Sequence, residues 1–129
     1  MDINEINTTA LAFMGDSVYE TYVRKRVILD GEIHPDILNK KKVAYVNAKA
    51  QAKILKSLMN DFLSEDEIKL CKRARNHKMK TMAKNQDPID YKNATAFEAL
   101  IGYTYLKNDT NRLEEIINKA FSILEEKNE

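Results

Sequence analysis

Two acidic residues stand in helical, largely apolar stretches, each close to a glycine. Asp16 directly follows Gly15, and Glu98 lies four residues before Gly102. Because a glycine inside a helix costs about 1 kcal/mol relative to alanine, each glycine suggests a place where another backbone comes close. If two helices cross at these glycines, Asp16 and Glu98 converge on one hard cation, since Mg²⁺ needs only one or two protein carboxylates. The pattern therefore favours metal-assisted phosphodiester chemistry, with Asp16 and Glu98 as candidate catalytic and metal-binding residues.

The same acids also allow a plainer interpretation. Isolated carboxylates on helices usually face water, and a lone helical glutamate often makes an ordinary surface ion pair. Glu20 lies one turn after Asp16 on the same face and is a further candidate for the metal site. Spacing alone leaves both interpretations open.

A basic stretch without acids is the second feature with chemical meaning. From Ile68 to Gln86 the chain contains neither Asp nor Glu. Such a run fits a strip of phosphates, and its lack of aromatic residues favours a duplex backbone over unpaired bases. The candidate RNA-binding residues are Lys72, Arg73, Arg75, Asn76, His77, Lys78, Lys80 and Lys84. The alternative is a solvated loop that balances acids elsewhere.

A polar stripe between small residues is a third candidate feature. It consists of Asn47, Lys49 and Gln51, which alternate with alanines. These side chains face either RNA or water, and Lys49 joins the candidate RNA-binding residues.

Hydrophobic periodicity places the candidate acids and the polar stripe on helices and predicts an all-α protein, in agreement with only three glycines and two prolines in 129 residues. The predicted helices cover Thr9 to Leu29, Pro35 to Lys41, Val43 to Phe62, the Ser64–Glu67 capping box to about Ala74, Tyr91 to Leu106, and the segment from Asn108–Asp109 to Leu124. A loop is predicted between Arg75 and Asp87.

Composition limits the class of protein. A chain of 129 residues predicts one domain spanning 1–129, and its net charge of +1 says little about partners without the charge distribution. The single cysteine, Cys71, excludes an internal disulfide and is interpreted as a packed thiol. Because no apolar run approaches about 20 residues and the start lacks a basic and hydrophobic leader, we expect a cytoplasmic protein without a membrane partner.

Four ordered segments resemble the ribonuclease III family, most closely its Mini-ribonuclease III branch. They are residues 10–20 (ALAFMGDSVYE), 46–52 (VNAKAQA), 73–78 (RARNHK) and 95–103 (TAFEALIGY), with Pro88 before the last. The resemblance implies an all-α ribonuclease III endonuclease domain that forms a homodimer and binds Mg²⁺ through Asp16 and Glu98. It further implies hydrolysis of double-stranded RNA to 5′-phosphate and 3′-hydroxyl ends, with the precursor of 23S ribosomal RNA as substrate.

Two departures from full-length ribonuclease III accompany this resemblance. Ala12 and Thr95 stand where the larger enzymes carry a Glu and an Asp, and the Mini-ribonuclease III branch is similar in having small or hydroxyl residues there. Nothing after Leu124 resembles a double-stranded-RNA-binding domain. The catalytic domain is therefore expected to hold the RNA itself, with Lys72 to Lys84 as the clamp.

Two other functions stay open beside the nuclease. One is a catalytically silent ribonuclease III-like module that binds structured RNA in a ribosome-associated assembly. The other is a small helical protein-interaction domain whose basic loop binds an acidic partner. Exposed apolar residues would agree with the implied homodimer, and the candidates are Phe13, Val18, Tyr22 and Leu100.

Overall fold

The computed structural model describes residues 1–77 and 87–126, and all regular structure in these ranges is helical. A 3₁₀ turn at Ile3–Glu5 precedes the helices α1 (Thr8–Leu29), α2 (Pro35–Val46), α3 (Ala48–Asp61), α4 (Glu65–Arg75), α5 (Pro88–Leu106) and α6 (Thr110–Glu125). The prediction of an all-α fold is confirmed. In the described ranges, no helix combines the length and apolar character needed to cross a bilayer.

One boundary prediction is wrong, because the stretch from Val43 to Phe62 is two helices. Asn47 has extended backbone angles (φ −66°, ψ 155°), and its side chain accepts a hydrogen bond from the Ala50 amide at 2.8 Å. It therefore ends α2 and caps α3. The spacing of apolar residues does not reveal the break. Val43, Val46, Ala50 and Ile54 follow one another at intervals of three or four residues, as they would in one continuous helix.

The start of α5 lies three residues before the predicted Tyr91, at Pro88. The Asp87 side chain accepts hydrogen bonds from the amides of Ile89 (2.8 Å) and Asp90 (3.2 Å). Proline is well suited to the first helical position because the amide hydrogen that it lacks has no partner there. The additional turn lengthens the helix that carries Glu98.

Helix α5 is the centre of the fold and packs against α1, α3 and α4. Its side chains Phe97, Leu100 and Ile101 are fully buried, and Tyr19 of α1 meets Phe97 edge to face with ring centroids 4.9 Å apart. Cys71 is also fully buried, which confirms the interpretation of a packed thiol. The core thus fixes α1 and α3 on α5, and these are the helices that form the site described below.

Two polar contacts hold α6 in place. Arg112 donates to both carboxylate oxygens of Glu67, at 2.9 and 2.7 Å, and its guanidinium lies 4.7 Å from the centre of the Phe62 ring. At the other end, Arg26 of α1 donates to both carboxylate oxygens of Glu125, at 2.9 and 2.6 Å. Helix α6 is therefore tied to α4 and to α1.

Candidate active site

Helices α1 and α5 cross with their backbones in direct contact. A Cβ atom built on Gly15 would lie 1.6 Å from the carbonyl oxygen of Glu98 and 2.8 Å from the amide nitrogen of Gly102. A Cβ atom on Gly102 would lie 1.9 Å from the carbonyl oxygen of Leu11. No side chain fits at either position, which explains both glycines. The crossing expected from the sequence is present.

Asp16 and Glu98 converge at this crossing, with their carboxyl groups within hydrogen-bonding reach. Asp16 is exposed, whereas Glu98 is partly buried. The pKa of Glu98 is raised from 4.5 to about 8, first because burial disfavours its charge and then because it hydrogen-bonds to Asp16 and feels its charge. Two acids held this close disfavour double ionisation, and a cation between them would remove that penalty.

Gln51 is a third polar group at Glu98, and its burial was not predicted. Its side chain is only 3% exposed, its Nε2 donates to the carbonyl oxygen of Val46 at 2.8 Å, and its proximity to Glu98 slightly offsets the rise in the pKa of that carboxyl. The prediction that Gln51 faces RNA or water is therefore wrong. The other two residues of the polar stripe have different surroundings. Asn47 caps α3, and Lys49 is exposed to solvent.

Glu20 has a different environment from the other two acids. Its carboxylate accepts a hydrogen bond from Nε of Arg24 at 2.9 Å, and Nζ of Lys42 lies 3.8 Å from its other oxygen. These two cations engage Glu20 on the α1–α2 side. The candidate metal-binding pair is therefore Asp16 and Glu98.

Known proteins resemble this chain over nearly its whole length. A model of the Ribonuclease III domain matches residues 9–109. The chain is 48% identical to Mini-ribonuclease 3 of Brevibacillus brevis over 96% of this chain and 92% of that protein. It is 40% identical to Mini-ribonuclease 3 of Enterococcus faecalis over 99% and 98% of the two chains. The chain belongs to the Mini-ribonuclease 3 branch of the ribonuclease III family.

A solved structure agrees with this membership. An X-ray crystal structure of a protein from Fusobacterium nucleatum matches with a TM-score of 0.82 at 38% identity, covering 94% of this chain and 96% of that one. The predicted ribonuclease III endonuclease fold is therefore confirmed. As a Mini-ribonuclease 3, the chain is an endoribonuclease that acts on double-stranded RNA, and ribonuclease III enzymes generally use divalent metal ions.

The two positions that lack the acids of larger ribonuclease III enzymes are occupied by packed or internally bonded residues. Ala12 is 7% exposed, and Thr95 donates its hydroxyl hydrogen to the carbonyl oxygen of Tyr91 at 2.9 Å. Within residues 1–77 and 87–126, no group of three or more His, Cys, Asp or Glu side chains is arranged to hold a metal. The candidate site of this Mini-ribonuclease 3 therefore contains two acids among the described residues, Asp16 and Glu98.

The basic residues expected to bind RNA lie at the end of α4. Lys72 and Arg73 are exposed in its last turn, Arg75 is half-buried, and Asn76 ends the helix. His77 is exposed and lines a shallow pocket of about 490 Å³ with Phe13 and the first turn of α1. Lys78, Lys80 and Lys84 lie outside the described residues. Lys49 lines a separate pocket of about 520 Å³ on the exposed face of α3.

Of the apolar residues that agreed with a homodimer, Phe13 alone is strongly exposed. Its side chain is 81% exposed, whereas Val18 is 9% exposed and Leu100 is fully buried. Tyr22 is half-buried against the core. Among these four residues, Phe13 therefore remains the one candidate for an exposed contact.

Proposed function

We propose that this Mini-ribonuclease 3 is a Mg²⁺-dependent enzyme that matures the ends of precursor 23S ribosomal RNA by cutting their double-stranded regions. The observation that carries the proposal is the convergence of Asp16 and Glu98 where α1 and α5 touch. Two carboxylates at one point suffice for a hard cation whose other ligands are water and phosphate oxygens.

The residues present fit such a cation. The Asp16 and Glu98 carboxyls repel each other when both are charged, and a divalent ion between them would offset that repulsion. The Oε1 atom of Gln51 is buried and has no hydrogen-bond partner among the described residues, so the site also offers an uncommitted oxygen. When bound, Mg²⁺ supplies polarisation of the phosphate and a water of lowered pKa.

The two carboxylates of the candidate site differ in exposure. Asp16 is exposed and Glu98 is partly buried, so the pair would hold a cation at the surface of the protein, where a phosphodiester could reach it. Attack of water on phosphorus with departure of the 3′ oxygen leaves 5′-phosphate and 3′-hydroxyl ends. No covalent intermediate on the enzyme is required.

The RNA path proposed here follows the end of α4. Lys72 and Arg73 are exposed and form no ion pair with any described acid, so they are available to phosphates. Two of the three basic residues near the end of α1 differ, since Arg24 pairs with Glu20 and Arg26 with Glu125, whereas Lys25 forms no ion pair with a described acid. The end of α4 therefore offers phosphates more unpaired positive charge than the end of α1 does.

The ribosomal substrate is tested by incubating the purified protein with precursor 23S ribosomal RNA and Mg²⁺, followed by mapping of the new 5′ ends. We expect one staggered pair of cuts in the duplex formed by the paired termini, and no cleavage when either terminal strand is supplied alone. Cutting of unrelated long duplexes with none at the precursor ends would contradict this substrate and leave the endoribonuclease activity in place.

We further propose that the enzyme is a homodimer with Phe13 at its interface. An 81% exposed phenylalanine beside a pocket of about 490 Å³ is the arrangement that two identical surfaces can fill reciprocally around a twofold axis. Phe13 lies three residues before Asp16 on α1, so such an interface brings both active sites beside it. Each site would then cut one strand of the duplex.

The dimer predicts a specific effect of Phe13→Lys. Placing a charge at the centre of the interface should raise the dimer dissociation constant about 100-fold, the cost of a central contact of roughly 3 kcal/mol. Sedimentation velocity across micromolar concentrations measures the change. Ile33→Lys is the matched control, since Ile33 is 79% exposed in the α1–α2 connection. Equal sedimentation of the Phe13→Lys and wild-type proteins would contradict the interface.

A further inference from the structure

A groove lies between the second half of α1 and helix α2. Its volume is about 290 Å³, and its walls include Arg24, Val27 and Ile28 from α1 and Leu38 and Lys42 from α2. On each helix these residues follow helical spacing, so one face of α1 and one face of α2 form the two walls. Val27 is buried and Leu38 packs against the core, which gives the groove an apolar floor.

Positive charge is unbalanced at one end of this groove. Glu20 accepts a hydrogen bond from Nε of Arg24 at 2.9 Å, whereas Nζ of Lys42 is 3.8 Å from its other oxygen, too far for a hydrogen bond. The terminal nitrogens of Arg24 carry further donors, and within residues 1–77 and 87–126 neither they nor Nζ of Lys42 form another ion pair. Two cations therefore share one carboxylate, which leaves a place for a second carboxylate.

The other end of the groove is apolar and acidic. Four large apolar side chains at or near the α1–α2 connection are between 41% and 79% exposed: Ile28, Leu29, Ile33 and Ile37. Such a concentration of exposed apolar surface is typical of contact with another protein. Three acids in the same stretch form no ion pair with a described base: Asp30, Glu32 and Asp36. From Arg24 to Asp30 the charge thus changes from positive to negative over about 9 Å along α1.

We propose that this groove binds a segment of a partner protein that carries an acidic, a large apolar and a basic residue in that order along the groove. The apolar side chain enters the pocket, the carboxylate meets Arg24 and Lys42, and the basic residue meets the acids of the α1–α2 connection. This binding site is separate from the proposed nuclease site, since Ile28 lies twelve residues after Asp16, about 18 Å along α1.

The size of the pocket favours a protein segment over a small molecule. About 290 Å³ is just below the roughly 300–1,000 Å³ of pockets that hold whole small molecules, and it suits one apolar side chain. The exposed side chains of Leu29, Ile33 and Ile37 lie outside the pocket lining, and a longer chain covers them as well. An apolar anchor in a pocket with a polar rim is the usual centre of a protein interface.

The charge pattern disfavours RNA as the occupant. A nucleic acid backbone is negative along its whole length, so phosphates that meet Arg24 would be followed by phosphates at Asp30 and Asp36. A protein segment can change the sign of its charge over the same distance. The exposed isoleucine side chains also offer phosphates no hydrogen-bond donor.

The test is selection of a phage library of random dodecapeptides on the wild-type protein, after depletion on Ile28→Glu to remove peptides that do not need the groove. We expect the enriched peptides to share a large apolar residue with Asp or Glu on one side and Lys or Arg on the other. Fluorescence anisotropy of an enriched peptide, synthesised with a fluorescein label, then measures affinity. Its dissociation constant should rise about tenfold or more with Ile28→Glu. The double variant Arg24→Gln with Lys42→Gln should raise it up to about fivefold, the range for exposed ion pairs.

Ile89→Glu is the matched control. Ile89 is 64% exposed, comparable to 56% for Ile28, and it lies in the first turn of α5 outside the groove lining. The control should bind the peptide within about twofold of wild type, as expected for a surface substitution away from the contact. Ile28→Glu should cut duplex RNA at the wild-type rate, because the change lies far along α1 from Asp16.

Several results would overturn the proposal. One is a selection without enrichment, or with enriched peptides that lack the order of acidic, apolar and basic residues. Weaker binding of duplex RNA by Ile28→Glu would assign the groove to RNA, and altered sedimentation of the same variant would assign it to a second copy of this chain. If Ile28→Glu does not fold, the double variant Arg24→Gln with Lys42→Gln replaces it in the depletion step, and the same peptide pattern is required.

Discussion

Asp16→Asn and Glu98→Gln should each lower the rate of duplex cleavage in Mg²⁺ by about 10³-fold or more, equivalent to roughly 4 kcal/mol of lost transition-state stabilisation. Each change removes one of two carboxylates while preserving the size of the side chain. Because both variants also relieve the repulsion within the pair, we expect them to fold at least as stably as wild type in the absence of metal. Single-turnover cleavage of a labelled long duplex and thermal melting in EDTA measure the two effects.

RNA binding distinguishes a catalytic defect from a general one. In Ca²⁺, which fills oxygen sites, both variants should bind duplex RNA within a few-fold of wild type. The double variant Lys72→Ala with Arg73→Ala should show the opposite behaviour: weaker binding with a shallower dependence on salt, and cleavage that recovers at high enzyme concentration. Undiminished cutting by Asp16→Asn and by Glu98→Gln would contradict the site assignment.

Gly15→Ala should destabilise the protein by about 3 kcal/mol or more, at the upper end of the range for an overpacked core. The added methyl group would lie 1.6 Å from the carbonyl oxygen of Glu98, and a main-chain atom of the central helix cannot move aside as a flexible side chain can. The helices α1 and α5 must then separate. Cleavage should fall along with stability, because the separation moves Asp16 away from Glu98.

Chemical denaturation by urea measures the loss of stability, and the chain provides its own comparisons. Gly102→Ala meets the Leu11 carbonyl oxygen at 1.9 Å and should behave like Gly15→Ala. Gly31→Ala meets no atom within 4 Å, so its cost arises only from the left-handed backbone angle (φ +98°) and should be about 1–2 kcal/mol. A Gly15→Ala protein as stable as wild type would show that the helices do not touch in this way.

The crossing of α1 and α5 could be predicted because glycine is unfavourable inside a helix and therefore needs a structural reason. Helix propensity disfavours glycine at positions 15 and 102, so close contact with another backbone is the remaining explanation for both. An acidic residue lies near each glycine in the sequence. The helices themselves followed from hydrophobic spacing. These inferences depend on local sequence and on one pairing of two helices.

The features that could not be predicted depend on the rest of the tertiary structure. Gln51 lies between alanines and gives no sign of burial, because only the position of α5 determines which face of α3 is covered. Glu20 shares a helix face with Asp16, and its pairing with Lys42 depends on where α2 packs. A polar residue in a helix acquires its role from its neighbours in space, which a single sequence does not specify.

The contact between main chains at Gly15 and Gly102 has a consequence for how this enzyme can change over time. The spacing of α1 and α5 at this crossing is set by backbone atoms, which every substitution elsewhere leaves chemically the same. Core side chains can therefore be exchanged for others of similar volume without shifting this helix spacing, as long as both glycines stay. Mutational drift in the core and adaptation of the RNA-binding surface can then proceed independently of the chemical step.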